Sequence, residues 1–264
     1  MIPNWTLLIG LDSKHFEQLK LVIPTWKKYK PSLFEKKWVV FHDDSVNVNE
    51  IHAFLLYYGI KGYYLCSWPP EGVEYDGDPN SKWTQPQRSK MLSGFVHIAA
   101  EYVKTPYWLK IDTDSTASGN DDWIEPYWFE NDPAIISHPW GFSKPANQMM
   151  ELDKWVENNP DKLSALRDHP PLRLEPNQGS SRLRHKRIIS WVGFFNTHFT
   201  EICSCYAEMT CGIGKLPVNS QDGFMWYVAK RFECGIVRAN MKSRGFVHRS
   251  SMRGIQQAVE EAMK

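Results

Sequence analysis

The sequence predicts an α/β fold, with a central, mainly parallel sheet flanked by helices and a smaller, less regular second half. Two observations lead there. Apolar strand-length runs alternate with helix-length segments through the first 115 residues, the βαβ rhythm that builds a parallel sheet. The fourth such run, Tyr107–Ile111, leads straight into Asp112-Thr113-Asp114. In parallel sheets ligands bind beyond the carboxyl ends of the strands, so these carboxylates are placed for chemistry.

The elements follow in order. Trp5–Leu11 reads as a buried strand, and Ser13–Tyr29 as a helix that Pro24 bends or divides. Lys37–His42 is a second strand and Asn49–Tyr58 a short helix ended by Gly59. Lys61–Cys66 is a third strand, and Pro69–Thr84 a loop rich in Pro, Gly and Asp. Pro86–Lys104 is the clearest helix, because Met91, Leu92, Phe95, Ile98, Ala99 and Tyr102 recur at three- and four-residue steps. Beyond the aspartates the pattern loosens. Ala134–His138 and Arg187–Asn196 read as strands, and Ala146–Arg167 as an interrupted helix. His169–Lys186 is a loop, followed by helices over Thr200–Met209 and Ser220–Phe232. Two short strands, Ile236–Asn240 and Gly245–His248, precede a terminal helix at Arg253–Lys264.

A length of 264 residues suits one large domain or two intimately packed halves. The net charge of +1 excludes the basic footprint of a nucleic-acid-binding protein. Five cysteines, an odd number with no framework spacing, favour a reducing compartment. Cys203, Cys205 and Cys211, with His198, invite a zinc reading, but they match no ligand spacing and read better as incidental thiols. No apolar run is long enough to span a membrane, and the N-terminus lacks a signal-peptide pattern, so a soluble cytoplasmic protein is expected.

Asp112 and Asp114 are spaced i, i+2, which in extended chain puts both on one side. Convergent anionic groups repel unless a cation lies between them, and a divalent metal holding a phosphate-bearing ligand explains the pair. A polar turn after a strand is the bland alternative. Tyr107–Asp114, ending in Asp-x-Asp, and Gln221-Asp222-Gly223-Phe224-Met225 at the start of a later helix resemble a GT-A-fold glycosyltransferase. The resemblance in element order covers most of residues 5–250 and singles out no family within that fold.

The resemblance implies a metal-dependent transfer of a sugar from a UDP- or GDP-sugar to a hydroxyl acceptor such as a glycan. Asp112 and Asp114 would hold Mn²⁺ or Mg²⁺ against the diphosphate, with His248 as third ligand and His138 as a weaker choice. Asp222 would be the catalytic base, although an acid usual before it is here Gln221. An acidic residue in a first helical turn also has a purely structural use. Asp43 and Asp44 would meet the base or ribose, with Asp12 a weaker equivalent, and Arg88 and Lys90 would approach the base or diphosphate. Residues 1–115 would form the nucleotide-sugar half and 116–264 the acceptor and catalytic half of a single domain. The basic run Arg182–Arg187 is either a solvated loop or a cover for the diphosphate, and Trp191 either core or a sugar platform.

Three other readings compete. Asp112-Thr113-Asp114-Ser115-Thr116 matches the Asp-x-Asp-x-Thr signature of haloacid-dehalogenase-like phosphatases, with Asp112 as nucleophile, but three strands precede it where that motif normally opens the chain. A nucleotidyltransferase would show a Gly-rich basic loop after the first strand, and Gly10–Lys14 is a poor version. A non-catalytic sugar-binding module would keep the aromatics, 14% of residues, and dispense with the metal.

Overall fold

The computed structural model describes residues 1–75, 86–139, 188–217, 221–232 and 234–264. The expected helix at 146–167, the loop at 169–186, the basic run and Ser220 lie outside the described residues.

The first half follows the expected rhythm: β1 (Trp5–Leu11), α1 (Ser13–Tyr29), β2 (Trp38–His42), α2 (Val48–Tyr57), β3 (Tyr63–Ser67), α3 (Pro86–Tyr102) and β4 (Tyr107–Ile111). After it come β5 (Ser115–Ala117), β6 (Ile135–Pro139), β7 (Ile188–Asn196), α4 (Thr197–Cys211), α5 (Gln221–Arg231), β8 (Ile236–Arg238), β9 (Phe246–His248) and α6 (Met252–Met263). Seven strands form one sheet in the order β3-β2-β1-β4-β7-β6-β8. The sheet is mainly parallel, and β7 alone runs against both its neighbours, β4 and β6. The smaller second half therefore extends the same sheet. No helix among the described residues is long and apolar enough to cross a membrane.

Alternation along the strands divides the core into two layers. Tyr107, Leu109 and Ile111 of β4 pack on the side of α1 and α6, with Leu7, Ile9 and Val40. Trp108 faces the other side, toward α3, α4 and α5, with Leu8, Phe41 and Phe95. There its ring stacks on Phe195 at 4.4 Å, and its Nε1 donates to Thr200 Oγ1 at 2.8 Å. Burial on both faces explains why these strands read as apolar runs rather than alternating ones.

The structure departs from the sequence reading in local details. Helix α1 runs through Pro24 undivided. Helix α4 begins at Thr197, three residues early, because Asn196 caps it by accepting from the Phe199 amide at 3.1 Å. Two short 3₁₀ turns, Pro31–Glu35 and Pro126–Phe129, each open on a proline. Strand β5 was not anticipated, since three small residues carry no strand pattern of their own. It exists by pairing antiparallel with β9.

Asp12, which follows β1, caps α1. Its Oδ1 accepts from the His15 amide at 2.8 Å and pairs with His15 Nδ1 at 2.7 Å. Burial opposes its ionisation, but the bonds and charge of His15 outweigh burial and hold its pKa at about 2. A depressed carboxylate pKa stabilises the fold above the ordinary value of about 3.9, and the contribution is lost as pH falls through the folded value. Asp12→Ala is expected to lower unfolding stability at pH 7 by about 0.5–2 kcal/mol. In urea titrations the gap between variant and wild type should close as pH falls from about 4 to about 2.

Candidate active site

The site forms where β4 ends. The Asp112 amide donates to the Trp191 carbonyl at 2.7 Å, the last rung of the β4–β7 ladder. The chain then turns, and the Ser115 amide closes the turn on the Asp112 carbonyl at 2.9 Å. The approach of Asp112 to Asp114 is thus made by a turn, which corrects the extended geometry expected from their i, i+2 spacing. The strand alternation applies one step earlier and puts Lys110 and Asp112 on one face.

Helix α1 braces this turn from behind. Thr113 Oγ1 donates to Gln18 Oε1 at 3.0 Å, and both residues are buried. Trp26 Nε1 donates to the Ser115 carbonyl at 2.7 Å, and the Ala117 amide donates to Thr25 Oγ1 at 2.9 Å.

The pairing of β5 with β9 sets Ser115 opposite His248. His248 Nε2 consequently lies 3.1 Å from Asp114 Oδ1. Gly245 makes this pairing possible. Its φ of +86° suits glycine, its carbonyl accepts from the Ser118 amide at 2.7 Å, and an added Cβ would run into the Ser118 carbonyl.

One ligand atom each of Asp112, Asp114 and His248 lies within 4.8 Å of the others. Among the described residues, this is the group of three or more acidic, His or Cys side chains able to hold a metal ion. Two carboxylates and an imidazole form a donor set suited to a divalent first-row metal. Asp114 Oδ1 is buried and makes no aligned hydrogen bond despite its closeness to His248, as expected of an oxygen reserved for a cation. The residues present therefore fit such an ion. Burial opposes the charged form of His248, but the close contact and charge of Asp114, joined by Asp112, outweigh it and raise its pKa. Burial also pushes the Asp112 carboxyl above the ordinary range. Lys110 counters that push, while Asp114 and Asp222 add to it.

Lys110 is the residue the sequence reading missed. It sits 3% exposed one residue before the end of β4, its Nζ 2.5 Å from Asp112 Oδ1, 4.0 Å from Asp222 Oδ1, and 5.1 Å from the Phe95 ring centroid. Burial works against its charge, but attraction to Asp112, Asp222 and Asp114 prevails and raises its pKa. A lysine inside an otherwise apolar strand was the available signal, because buried lysines need partners. Asp222 lies in the first turn of α5, and its Oδ1 is buried with no hydrogen bond among the described residues.

The remaining predicted residues divide. Asp43, Asp44 and Lys90 line one cleft with His42, Trp68 and Val73, of ≈ 400 Å³. That lies within the range of about 300–1,000 Å³ usual for small-molecule sites. Asp43 is buried and committed: its Oδ1 accepts from Ser45 N at 3.0 Å and Ser45 Oγ at 2.5 Å, and Gln87 donates to Oδ2. The Asp44 side chain is 95% exposed, and Lys90 stands 3.3 Å from it and 3.6 Å from Asp43. Lys90 holds the Asp44 carboxyl below its ordinary range. Arg88 lies exposed on α3 and does not line this cleft. His138 is outside the metal-capable cluster, its ring 5.4 Å from Trp191. Trp191 is 2% exposed and belongs to the core. The cysteines form no metal-capable group among the described residues, and His198 pairs with Glu201 at 3.2 Å.

No protein-family model and no curated protein matches the sequence. Solved structures do. Core-mannan synthase A (CmsA/Ktr4) from Aspergillus fumigatus, in its Mn/GDP form, superposes with a TM-score of 0.61 at 12% identity, over 89% of this chain and 72% of that one. The mannosyltransferase Ktr4p from S. cerevisiae, in complex with GDP, gives 0.53 at 11% identity, over 93% and 71%. The fold is that of the GT-A glycosyltransferases.

Gly245→Ala is expected to strain the turn before β9 and dislodge His248 without altering a candidate ligand. The positive φ and the collision with Ser118 together predict a loss of about 1–3 kcal/mol, measurable in thermal unfolding.

Proposed function

We propose that the protein is a metal-dependent glycosyltransferase that moves a sugar from a nucleotide-diphosphate sugar to a hydroxyl acceptor. The observation that carries this reading is the convergence of Asp112, Asp114 and His248 at the end of a central strand. The Mn/GDP and GDP forms of the two similar structures support it.

In this reading Asp112, Asp114 and His248 hold Mn²⁺ or Mg²⁺. Held there, such an ion would supply the positive charge that offsets the charge developing on a departing diphosphate. Residues up to about 115 bind the nucleotide, and the rest bind the acceptor. Asp222 receives the proton of the acceptor hydroxyl. A carboxylate with an oxygen that makes no hydrogen bond among the described residues suits that task once the site is closed to water.

The cleft at Asp44 and Lys90 favours guanine over uracil. Guanine offers O6 as acceptor beside two N–H donors on one edge. A lysine ammonium 3.3 Å from a carboxylate is the complementary pair, the ammonium facing O6 and the carboxylate both donors. Uracil offers one N–H between two carbonyls, which sets an acceptor against the carboxylate. On this reading the donor is a GDP-sugar, in line with the GDP held by the two similar structures.

Calorimetry in the presence of Mn²⁺ should show GDP binding about tenfold or more tighter than UDP, as expected of a bidentate base contact. Asp44→Ala should abolish the difference. Asp114→Asn should remove the dependence on Mn²⁺. Binding of GDP unaffected by both Mn²⁺ and Asp114→Asn would defeat the metal assignment.

Metal binding needs neutral His248, whose pKa is raised. Affinity for Mn²⁺ is thus expected to weaken as pH is lowered through that raised value, by up to about tenfold per pH unit. His248→Ala should flatten the profile. The sign for folding without metal is the reverse: the His248–Asp114 pair stabilises below the unfolded value of about 6.5, and this is lost as pH rises through the folded value.

A further inference from the structure

Lys110 has no role in the reading above, and its surroundings suggest one. Across the sheet its row reads Leu8, Lys110, Gly193, Ser137. The two residues on the β7 side are too small to cover an ammonium. An added Cβ at Gly193 would already press on the Ile136 carbonyl at 3.0 Å and Ser137 Oγ at 3.1 Å. Carboxylates approach the ammonium instead, Asp112 at 2.5 Å and Asp222 at 4.0 Å, from segments more than a hundred residues apart. Asp112 arrives along the strand and Asp222 on the first turn of α5. A buried ammonium is expensive to desolvate, so it persists where paired carboxylates compensate it.

We propose that Lys110 is a positioning residue, a built-in cation that ties the metal-side carboxylate Asp112 to Asp222 and holds both at one site before any metal arrives. By engaging Asp112 Oδ1 it leaves the other oxygen of that carboxylate to face the site. By attracting Asp222 it fixes the start of α5 against the end of β4. Asp112, Asp114 and Asp222 can then gather in one half-buried place without a bound ion. The catalytic consequence rests on the glycosyltransferase reading; the tie itself does not.

The test begins with thermal unfolding of metal-free wild type, Lys110→Met, Asp222→Asn and the double variant. Methionine keeps the length and removes the charge. Asp222→Asn is expected to raise the Tm of the Lys110→Met protein by about 3 °C or more and to lower or leave unchanged that of wild type. Additive effects overturn the proposal. If Lys110→Met fails to fold, folding of the double variant supports the tie and its failure overturns it. Mn²⁺ should raise the Tm of Lys110→Met more than that of wild type, since it replaces the lost cation; an equal rise overturns the proposal. With a GDP-sugar, Lys110→Met should lower kcat at least about tenfold with donor KM within about twofold, and Lys110→Arg should recover part of it. An unchanged kcat overturns the positioning role. If wild type shows no Mn²⁺-dependent nucleotide binding, the functional reading falls, and the unfolding cycle still decides the tie.

Discussion

The site depends on how charge is balanced at the end of β4. Asp112, Asp114 and Asp222 collect around a buried lysine and a half-buried histidine. In a low-dielectric interior such a cluster is stable only when opposite charges stand in contact and in correct geometry. The rest of the fold supplies that geometry. Strand β4 is held between β1 and β7, α1 braces the turn after it, and the small β5–β9 sheet carries His248 across. Each of these supports is made of backbone pairing or buried hydrogen bonds, the least yielding contacts available.

The candidate nucleotide cleft has a different character. It lies at the ends of β2 and β3, where Asp43 is locked by Ser45 and Gln87 while Asp44 stays open to solvent. The buried aspartate shapes the loop and leaves its neighbour exposed at the cleft. Trp68 fastens the cleft to α3 by donating from Nε1 to the Lys90 carbonyl at 2.8 Å, so Lys90 is set by the same packing. The candidate metal site and the cleft both lie at carboxyl ends of strands, where ligands bind in parallel sheets.

Much of this was legible in the sequence. Two-sided burial writes β1, β2 and β4 as apolar runs, and helical periodicity writes α3, so the fold class follows. The aspartates were visible because they end such a run, and His248 because the resemblance implies a third ligand near the end of the chain. The reason for the Asp112–Asp114 approach was not visible, since a turn and an extended strand share the same i, i+2 spacing. Strand β5 escaped because Ser115–Ala117 is defined by its partner and carries no pattern itself. Lys110 escaped because a single charge in an apolar run was averaged away, although burial makes that charge the most constrained in the site. Asp222 was singled out by the resemblance of Gln221–Met225, but its proximity to Lys110 is a long-range contact that no local pattern encodes.

The central claim is that Asp112, Asp114 and His248 form the metal end of a nucleotide-sugar site. The most direct measurement is anomalous diffraction at the manganese edge from crystals grown with Mn²⁺ and GDP. The account predicts one strong peak within about 2.0–2.3 Å of a carboxylate oxygen and of a His248 nitrogen, the distances usual for a divalent first-row metal, with diphosphate oxygens completing the shell. A GDP molecule bound with no peak at these residues, or a peak at other residues, would contradict it.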